Sequence, residues 1–316
     1  MRHLAEYLLV RVAISLIQAV SLETCQAATV WLAWVACDVL KIRARVVHEN
    51  LRIAFPDKSD AERHRIARRM WEHLLLMVCE VAHVGRKIHE TNWRKYVTVR
   101  RKRDWIRLVS RPGAKVCVTG HFGNFEALGH VSNFWGFRTF TVARTLDNPY
   151  LDRLVGRFRE SMGQRILPKS HSAGQADEVL AAGGILALLG DQHAGQRGCV
   201  VDFLGRPASC HKALALFALL HRVPVMVVTC TRLERPMHFS MGLDAVLDPA
   251  DNPPEFESVE ALTQWYNDAL AARIRQQPEQ YWWLHDRWKE TRSRKRRQER
   301  PAAGSEAAPG LQRPAA

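Results

Sequence analysis

The first 40 residues contain two apolar segments that carry no charge. Residues 12–22 form an uncharged stretch of 11 residues, residues 24–37 form one of 14 residues, and only Glu23 separates them. Each segment is shorter than the roughly 18–20 apolar residues that a helix needs to cross a bilayer. The pattern therefore predicts either a pair of buried core helices or a helical element embedded in one leaflet of a membrane.

The residues around the second apolar segment favour the membrane interpretation. Trp31 and Trp34 lie near its end, where amphipathic rings anchor helices at a membrane interface. Three basic residues follow at once and suit anionic headgroups: Lys41, Arg43 and Arg45. A single tilted span with Glu23 neutralised stays open, and no small-residue cleavage site indicates a removable signal peptide. We therefore expect residues 1–40 to be membrane-associated, as a monotopic or single-span element.

Residues 57–84 have the apolar spacing of an amphipathic helix. Asp57, Ser59 and Asp60 are candidate caps for its start. Apolar residues recur at three- and four-residue steps: Ile66, Met70, Leu74, Met77 and Val81. The stripe indicates a helix with one face packed in the core.

From residue 114 onward, short apolar runs alternate with helical patterns. The predicted strands are 115–119, 138–142, 184–189 and 224–232, and the predicted helices are 124–134, 149–163, 174–182 and 209–221. This alternation predicts an α/β fold with a mostly parallel central sheet flanked by helices. Sheets of this kind place their sites at the carboxyl ends of strands.

The charge of the chain indicates contact with an anionic partner. The 316 residues include 46 Lys and Arg against 32 Asp and Glu, a net charge of +14. Such a surplus suits nucleic acid, a membrane surface or a phosphorylated substrate. Residues 291–316 hold seven basic and two acidic residues and are rich in Ala and Pro, so we expect a basic, disordered tail. The predicted organisation is a membrane segment at 1–40, a catalytic domain at 41–290 and this tail.

Several familiar motifs are missing from the sequence. The seven cysteines include no C-x-x-C pair, which favours reduced thiols in a cytosol-facing protein, and no zinc-ligand spacing is present, so we expect no metal site. The glycine-rich dinucleotide and P-loop motifs and the G-x-S-x-G elbow are also absent. These absences argue against nucleotide-dependent and serine-hydrolase chemistry.

One segment directly after a predicted strand has residues suited to proton transfer. His121 and Glu126 form an H-x-x-x-x-E pattern, with Gly120 and Gly123 in the intervening turn. On a continuous helix the two side chains would diverge by roughly 140°, so they converge only if His121 lies in the turn. A carboxylate beside an imidazole orients it for general base catalysis, and the N–H groups at the helix start around Asn124 could hold an oxyanion.

Six segments resemble, in the same order, the lipid A biosynthesis acyltransferase family, the late lauroyl- and myristoyl-type enzymes of the lysophospholipid acyltransferase superfamily. They include the N-L-x-x-A-F-P pattern at 50–56 and the H-x4-E pattern at 121–126. The others are R-x-x-D-N-P-x-x-D at 144–152, Asp-Gln at 191–192, F-x-G-R-P-A at 203–208 and W-x-H-x-R-W-K at 283–289. The resemblance extends over roughly residues 40–290.

The resemblance implies O-acyl transfer from an acyl thioester, on acyl carrier protein or coenzyme A, to a hydroxyl of a phosphorylated glycolipid at the cytosolic face of the inner membrane. No other cofactor is implied. His121 would be the general base and Glu126 its orienting partner. The implied substrate-binding residues are Arg144, Arg157 or Arg159, Asp191 and Arg206. Asp191 would organise an arginine or histidine, and Arg206 would either bind phosphate or make a turn. We expect the closing tryptophans to pack or to anchor the protein at the membrane.

Three alternatives stay open at this point. The same chemistry would serve another lipid acceptor, such as a phosphatidylinositol mannoside or an ornithine-type lipid. A basic nucleic-acid-binding protein would use the run at 292–297, although the sequence contains no recognised nucleic-acid module. An inactive relative serving as a scaffold would not need both His121 and Glu126.

Overall fold

The computed structural model describes residues 1–136, 139–143, 145–168 and 172–289. Arg144 and the basic tail at 291–316, which the sequence analysis singled out, lie outside these residues.

The chain begins with helices that gather around one long helix. Helices α1 (Arg2–Ala19) and α2 (Leu22–Trp34) come first, and α2 continues into a π-helical turn at Val35–Val39. Helix α3 (Ala44–Ala54) and the long α4 (Asp60–Lys87) follow, and α1, α2 and α3 all pack on α4. Among the described residues, no single helix is both long and apolar enough to cross a bilayer. The consecutive segments Leu22–Val39 and Ala44–Ala54 together reach that length and composition, but they meet at a bend of 94°.

The start of α4 agrees with the predicted helix at 57–84. Ser59 caps it through a capping box, in which the Ser59 hydroxyl accepts from the Glu62 N–H while the Glu62 carboxylate accepts from the Ser59 N–H. Met70 and Met77 of the predicted apolar stripe are buried. The helix therefore begins three residues later than predicted and extends three residues further, to Lys87.

A mostly parallel sheet of seven strands forms the centre of the described chain, as the alternating pattern predicted. Its order is β1-β9-β8-β2-β5-β3-β4, and only the β8–β9 pairing is antiparallel. The strands are β1 (Val97–Arg100), β2 (Lys115–Thr119), β3 (Thr139–Ala143), β4 (Gln164–Pro168), β5 (Ile185–Leu189), β8 (Val225–Arg232) and β9 (Phe239–Leu247). A separate antiparallel hairpin consists of β6 (Cys199–Phe203) and β7 (Arg206–Cys210).

Helices cover both faces of the sheet. They are α5 (Lys102–Ser110), α6 (Phe125–Asn133), α7 (Pro149–Ser161), α8 (Ser172–Ala181), α9 (Ala213–His221) and α10 (Val259–Gln276). One apolar cluster joins α4, α5 and α6 to the sheet, and a second joins α8, α9 and α10 to it. The predicted helix at 209–221 begins only at Ala213, because residues 209 and 210 complete the β7 strand of the hairpin.

Candidate active site

The turn after β2 is held in a conformation that only glycine adopts without strain. Gly123 has a φ of +62°, and a Cβ there would lie 2.0 Å from the carbonyl oxygen of Cys230. The next residue, Asn124, caps α6 by accepting a hydrogen bond from the Ala127 N–H. These contacts hold the turn in a single backbone conformation, which places His121 at the carboxyl end of β2.

His121 is hydrogen-bonded to Asp191 through both its ring and its backbone. Its Nδ1 lies 2.9 Å from Asp191 Oδ1, and its backbone N–H donates to Asp191 Oδ2 over 2.7 Å. The register explains the contact, because Thr119 of β2 pairs with Leu189 of β5 and each functional residue follows two positions later. A Cβ at Gly120 would lie 3.2 Å from the Asp191 carboxylate, so glycine suits this close approach.

This geometry corrects the partner expected for His121. Glu126 was expected to orient the imidazole, but the carboxylate bound to its Nδ1 is that of Asp191. The resemblance left open whether Asp191 organises an arginine or a histidine, and the structure places it on the histidine. Spacing could not choose between them because 70 residues separate Asp191 from His121 along the chain. The neighbouring position of β2 and β5 in the sheet was the missing information.

Opposing effects set the pKa of His121. Burial alone would lower it, but the charge and hydrogen bond of Asp191, helped by the charge of Glu126, raise the pKa above its usual value, and Arg159 partly opposes them. Burial likewise would raise the pKa of Asp191, yet the charge of His121 and its two hydrogen bonds lower it. The pair therefore favours an ionised Asp191 beside an imidazole of increased basicity.

Glu126 forms a bidentate ion pair with an arginine of the next helix. Arg159 of α7 donates from Nη2 to Glu126 Oε1 over 2.5 Å and from Nε to Oε2 over 3.3 Å. Both side chains are mostly buried and lie beside His121 in the same cavity. The sequence left Arg157 and Arg159 as alternatives. The structure brings Arg159 to the cavity, whereas Arg157 is exposed on α7.

The backbone N–H groups expected to hold an oxyanion already have partners. The Gly123 N–H donates to the carbonyl of Gln280, and the Asn124 N–H donates to the carbonyl of Cys230. These bonds fix the turn against β8 and the C-terminal segment, so neither group points to a substrate. Gly123 therefore has the role in the turn that the sequence predicted, and the Asn124 N–H is likewise bound within the turn. An oxyanion role for other N–H groups at the start of α6 stays a prediction.

Two aromatic rings and an amide surround the imidazole. The ring centroids of Phe125 and Trp282 each lie 5.3 Å from that of the imidazole, in an edge-to-face arrangement. The backbone N–H of Trp282 donates to the backbone carbonyl of His121. Gln192 places its amide nitrogen 3.3 Å from His121 Nε2. The sequence analysis gave Gln192 no role, although it directly follows Asp191. Trp282 thus packs on the histidine, whereas Trp283 and Trp288 are buried in the core.

A buried network of polar side chains joins the turn after β2 to α4 and β8. Arg232 of β8 pairs with Glu80 of α4 at 2.6 and 2.8 Å, and Glu80 also accepts from the Asn124 amide at 3.0 Å. His73 accepts from Arg232 at Nδ1 and donates from Nε2 to the Gly123 carbonyl. Burial and the charge of Arg232 hold the pKa of His73 well below its usual value, consistent with this neutral tautomer. The network therefore ties α4 and β8 to the turn that carries His121.

A cavity of about 310 Å³ opens beside His121 and extends between α6 and the sheet. His121, Glu126, Arg159 and Gln192 lie together along it. Apolar side chains provide most of its walls: Cys117, Phe125, Leu128, Val142, Ala187, Leu188, Leu189, Met226 and Val228. The site thus combines a basic imidazole, an arginine and a space suited to hydrocarbon.

The remaining predicted residues lie elsewhere. Arg206 is in the β6–β7 hairpin, paired with Phe203, and is not among the residues that line the cavity. Within the described residues, one group of metal-ligand types converges, away from this cavity: Cys37, Asp38 and His64, with ligand atoms within 4.8 Å of one another. His64 Nε2 and Asp38 Oδ1 already form a hydrogen bond of 2.7 Å there.

Comparison with known proteins identifies the family to which the chain belongs. The family model of the bacterial lipid A biosynthesis acyltransferases matches residues 1–290. The chain therefore belongs to this family and is an acyltransferase, as the order of its motifs predicted. It is also 25% identical over 265 residues to the lipid A biosynthesis lauroyltransferase of Escherichia coli (strain K12), covering 80% of this chain and 81% of the relative. Membership of the family implies an acyl thioester donor and a lipid A-type glycolipid acceptor.

Proposed function

We propose that this protein transfers a fatty acyl chain from acyl carrier protein or coenzyme A to a hydroxyl of a lipid A-type glycolipid precursor, with His121 as general base. The observation that carries this proposal is the hydrogen bond between His121 Nδ1 and Asp191. It leaves Nε2 facing the cavity as the ring nitrogen that takes a proton. No cofactor beyond the acyl donor is required.

The proposed reaction begins with deprotonation of the acceptor hydroxyl. With Nδ1–H donated to Asp191, the Nε2 lone pair of His121 takes the hydroxyl proton as the oxygen attacks the thioester carbonyl. The amide of Gln192 occupies the position beside Nε2 that the acceptor hydroxyl takes when it binds. The tetrahedral intermediate then collapses, the carbon–sulfur bond breaks, and the imidazolium returns the proton to the departing thiolate.

Charge stabilisation in this mechanism comes from side chains. The Gln192 amide and the Arg159 guanidinium line the same cavity as His121 and are the donors we assign to the developing oxyanion. Glu126 holds Arg159 in place through two parallel hydrogen bonds, so its role is to position a cation. This division gives each carboxylate a separate task, with Asp191 on the base and Glu126 on the arginine.

We further propose that the protein acts at the cytosolic face of the inner membrane through its N-terminal helices. Helix α1 has no buried residue, and its exposed apolar side chains include Leu8, Leu9, Val12 and Leu16. Trp31 and Trp34 of α2 are also exposed. A surface of this kind is costly in water and suits the interfacial region of a bilayer.

The test is mass spectrometry of lipid A from cells with and without the gene. We expect deletion to remove one acyl chain, wild-type protein to restore it, and the His121→Ala variant to fail. An unchanged lipid A, with the loss of one chain from another lipid class instead, would overturn the assigned acceptor.

A further inference from the structure

The cavity extends from His121, at the carboxyl ends of the strands, toward the amino ends of the strands. His121 follows the carboxyl end of β2, whereas Gln164 lies at the amino end of β4. The register links Lys115 to Ile185, Ile185 to Thr139, and Thr139 to Gln164, so Gln164 is level with Lys115. Lys115 and Thr119 are about 13 Å apart along β2, and His121 lies in the turn beyond Thr119. His121 and Gln164, which both line the cavity, therefore lie at opposite ends of the strands.

At the far end, the side chain of Gln164 fills the space beside a glycine. A Cβ at Gly129 of α6 would lie 1.8 Å from the amide nitrogen of Gln164 and 2.7 Å from its amide carbon. Gln164 is 8% exposed, and both residues line the cavity. The absence of a side chain at Gly129 therefore leaves room for the Gln164 amide against α6.

The walls of the cavity suit a hydrocarbon chain, because most of the residues that line it are apolar. Trp105, Ser132 and Thr139 lie with Gly129 and Gln164 around the far end, and we name these five residues the deep end of the cavity.

We infer that the deep end receives the terminus of the donor acyl chain and that the bulk of Gln164, seated against Gly129, sets the length of chain that is transferred. This inference rests on the proposed function and specifies its donor. The acyl carbonyl lies beside His121, the chain follows the apolar walls, and its last carbons meet the Gln164 side chain. One methylene in such a pocket changes selectivity by roughly tenfold or more.

The first experiment offers the purified enzyme a mixture of acyl thioesters of 8 to 18 carbons together with a lipid A precursor. We expect Gln164→Ala to favour longer chains, with the ratio of longer to wild-type product rising roughly tenfold. Gly129→Ala narrows the deep end and favours shorter chains. Gln164→Leu keeps the bulk and therefore keeps the wild-type preference. An unchanged product distribution in Gln164→Ala would overturn the inference, as would an equal shift in Gln164→Leu.

Two control variants separate this effect from general changes in the protein. Gly156→Ala places the same methyl group on α7, where no atom lies within 4 Å, and Gln276→Ala removes an exposed glutamine at the end of α10. Both are expected to keep the wild-type distribution. A comparable shift in either control would show that chain choice does not reside in the deep end.

A second experiment is independent of the acceptor and of turnover. An acyl pantetheine with a photoreactive diazirine at its terminal carbon is bound to the His121→Ala variant and irradiated. We expect the label on segments that contain Gly129 or Gln164, and a label confined to α1 or α2 would contradict the inference. If the wild-type enzyme modified no lipid A precursor, the proposed acceptor would fail while this measurement still located the chain.

Discussion

His121 Nδ1 and Asp191 Oδ1 lie 2.9 Å apart. They meet because Thr119 and Leu189 are partners in the sheet and each of the two functional residues follows its strand residue by two positions. The parallel pairing of β2 and β5 makes their carboxyl ends neighbours, and the loops after them carry the two groups. The contact therefore depends on the central sheet itself, which is the most rigid part of an α/β domain. Glu126, which lies much closer to His121 in sequence, is directed to Arg159 instead.

The first prediction concerns Asp191. We expect Asp191→Asn to lower kcat by roughly 10³- to 10⁴-fold, because the amide no longer fixes the tautomer or stabilises the imidazolium. The acid limb of the pH profile moves as well. The wild-type pKa of His121 is raised, so activity increases with pH through a value above about 6.5. In the Asp191→Asn variant this limb of the pH profile shifts to lower pH, because the negative charge that raises the pKa of His121 is absent. Rates measured from pH 5 to 9 test both effects.

Asp268→Asn is the matched control for this change. Asp268 is exposed on α10, so its variant should keep both the rate and the pH profile of the wild-type enzyme. A wild-type profile in Asp191→Asn would show that the carboxylate does not act on His121.

The second prediction concerns the pair formed by Glu126 and Arg159. Arg159→Lys cannot preserve the two parallel hydrogen bonds, and we expect a loss in kcat of about 10²-fold. Glu126→Gln should cost a similar factor because Arg159 loses its fixed position. Since the residues act as a unit, the double variant should be little worse than either single variant. Strict multiplication of the two losses would argue for separate roles, and Arg157→Lys, on the exposed side of α7, should have no effect.

The third prediction concerns the buried support beneath the turn. Removing one partner of a buried ion pair leaves the other charge uncompensated, so we expect Arg232→Met to destabilise the protein by about 3–5 kcal/mol. The exposed pair of Arg101 and Asp104 provides the control, and Asp104→Asn should change stability by less than about 1 kcal/mol. Thermal unfolding in detergent compares them. Similar melting temperatures for the two variants would contradict the supporting role of Arg232.

The fourth prediction concerns membrane attachment. We expect the combined change of Leu8, Leu9 and Leu16 to Gln to release protein from vesicles of anionic lipid, because these side chains are exposed on α1. Leu216 and Leu220 of α9 are also exposed, and changing them to Gln should leave attachment intact. Co-sedimentation with vesicles measures the bound fraction. Equal release by both sets would mean that α1 has no special part in attachment.

Much of the fold followed from the sequence because its pattern is strong there. The strands at Lys115–Thr119 and Val225–Arg232 contain short apolar runs and are buried along their whole length, and Ser59 is a recognisable cap. The pairing order of the strands was not predictable from one sequence, since no local signal reports which strand lies beside β2. Strands β1, β4 and β9 and the β6–β7 hairpin were also missed, because these segments mix polar with apolar residues.

The same limit applies to the candidate site. His121, Glu126 and Asp191 were identified from motifs, and Arg159 was one of two alternatives with Arg157. The structure brings His121, Glu126, Arg159 and Asp191 together. The motifs did not show which of these side chains contact each other, because each contact joins distant parts of the chain. Gln192 could have been found from its place beside Asp191 at the end of a strand. The N–H partners of Gly123 and Asn124, the carbonyls of Gln280 and Cys230, could not be predicted because they are remote in sequence.

The most direct test of the central claim is the rate of acyl transfer by His121→Ala, measured with a purified lipid A precursor and an acyl thioester at saturating concentrations. The loss of the base should reduce kcat by at least about 10³-fold and leave the binding of the thioester and the melting temperature nearly unchanged. A His121→Ala enzyme that retains kcat within tenfold of the wild type would contradict the assignment of His121 as the base.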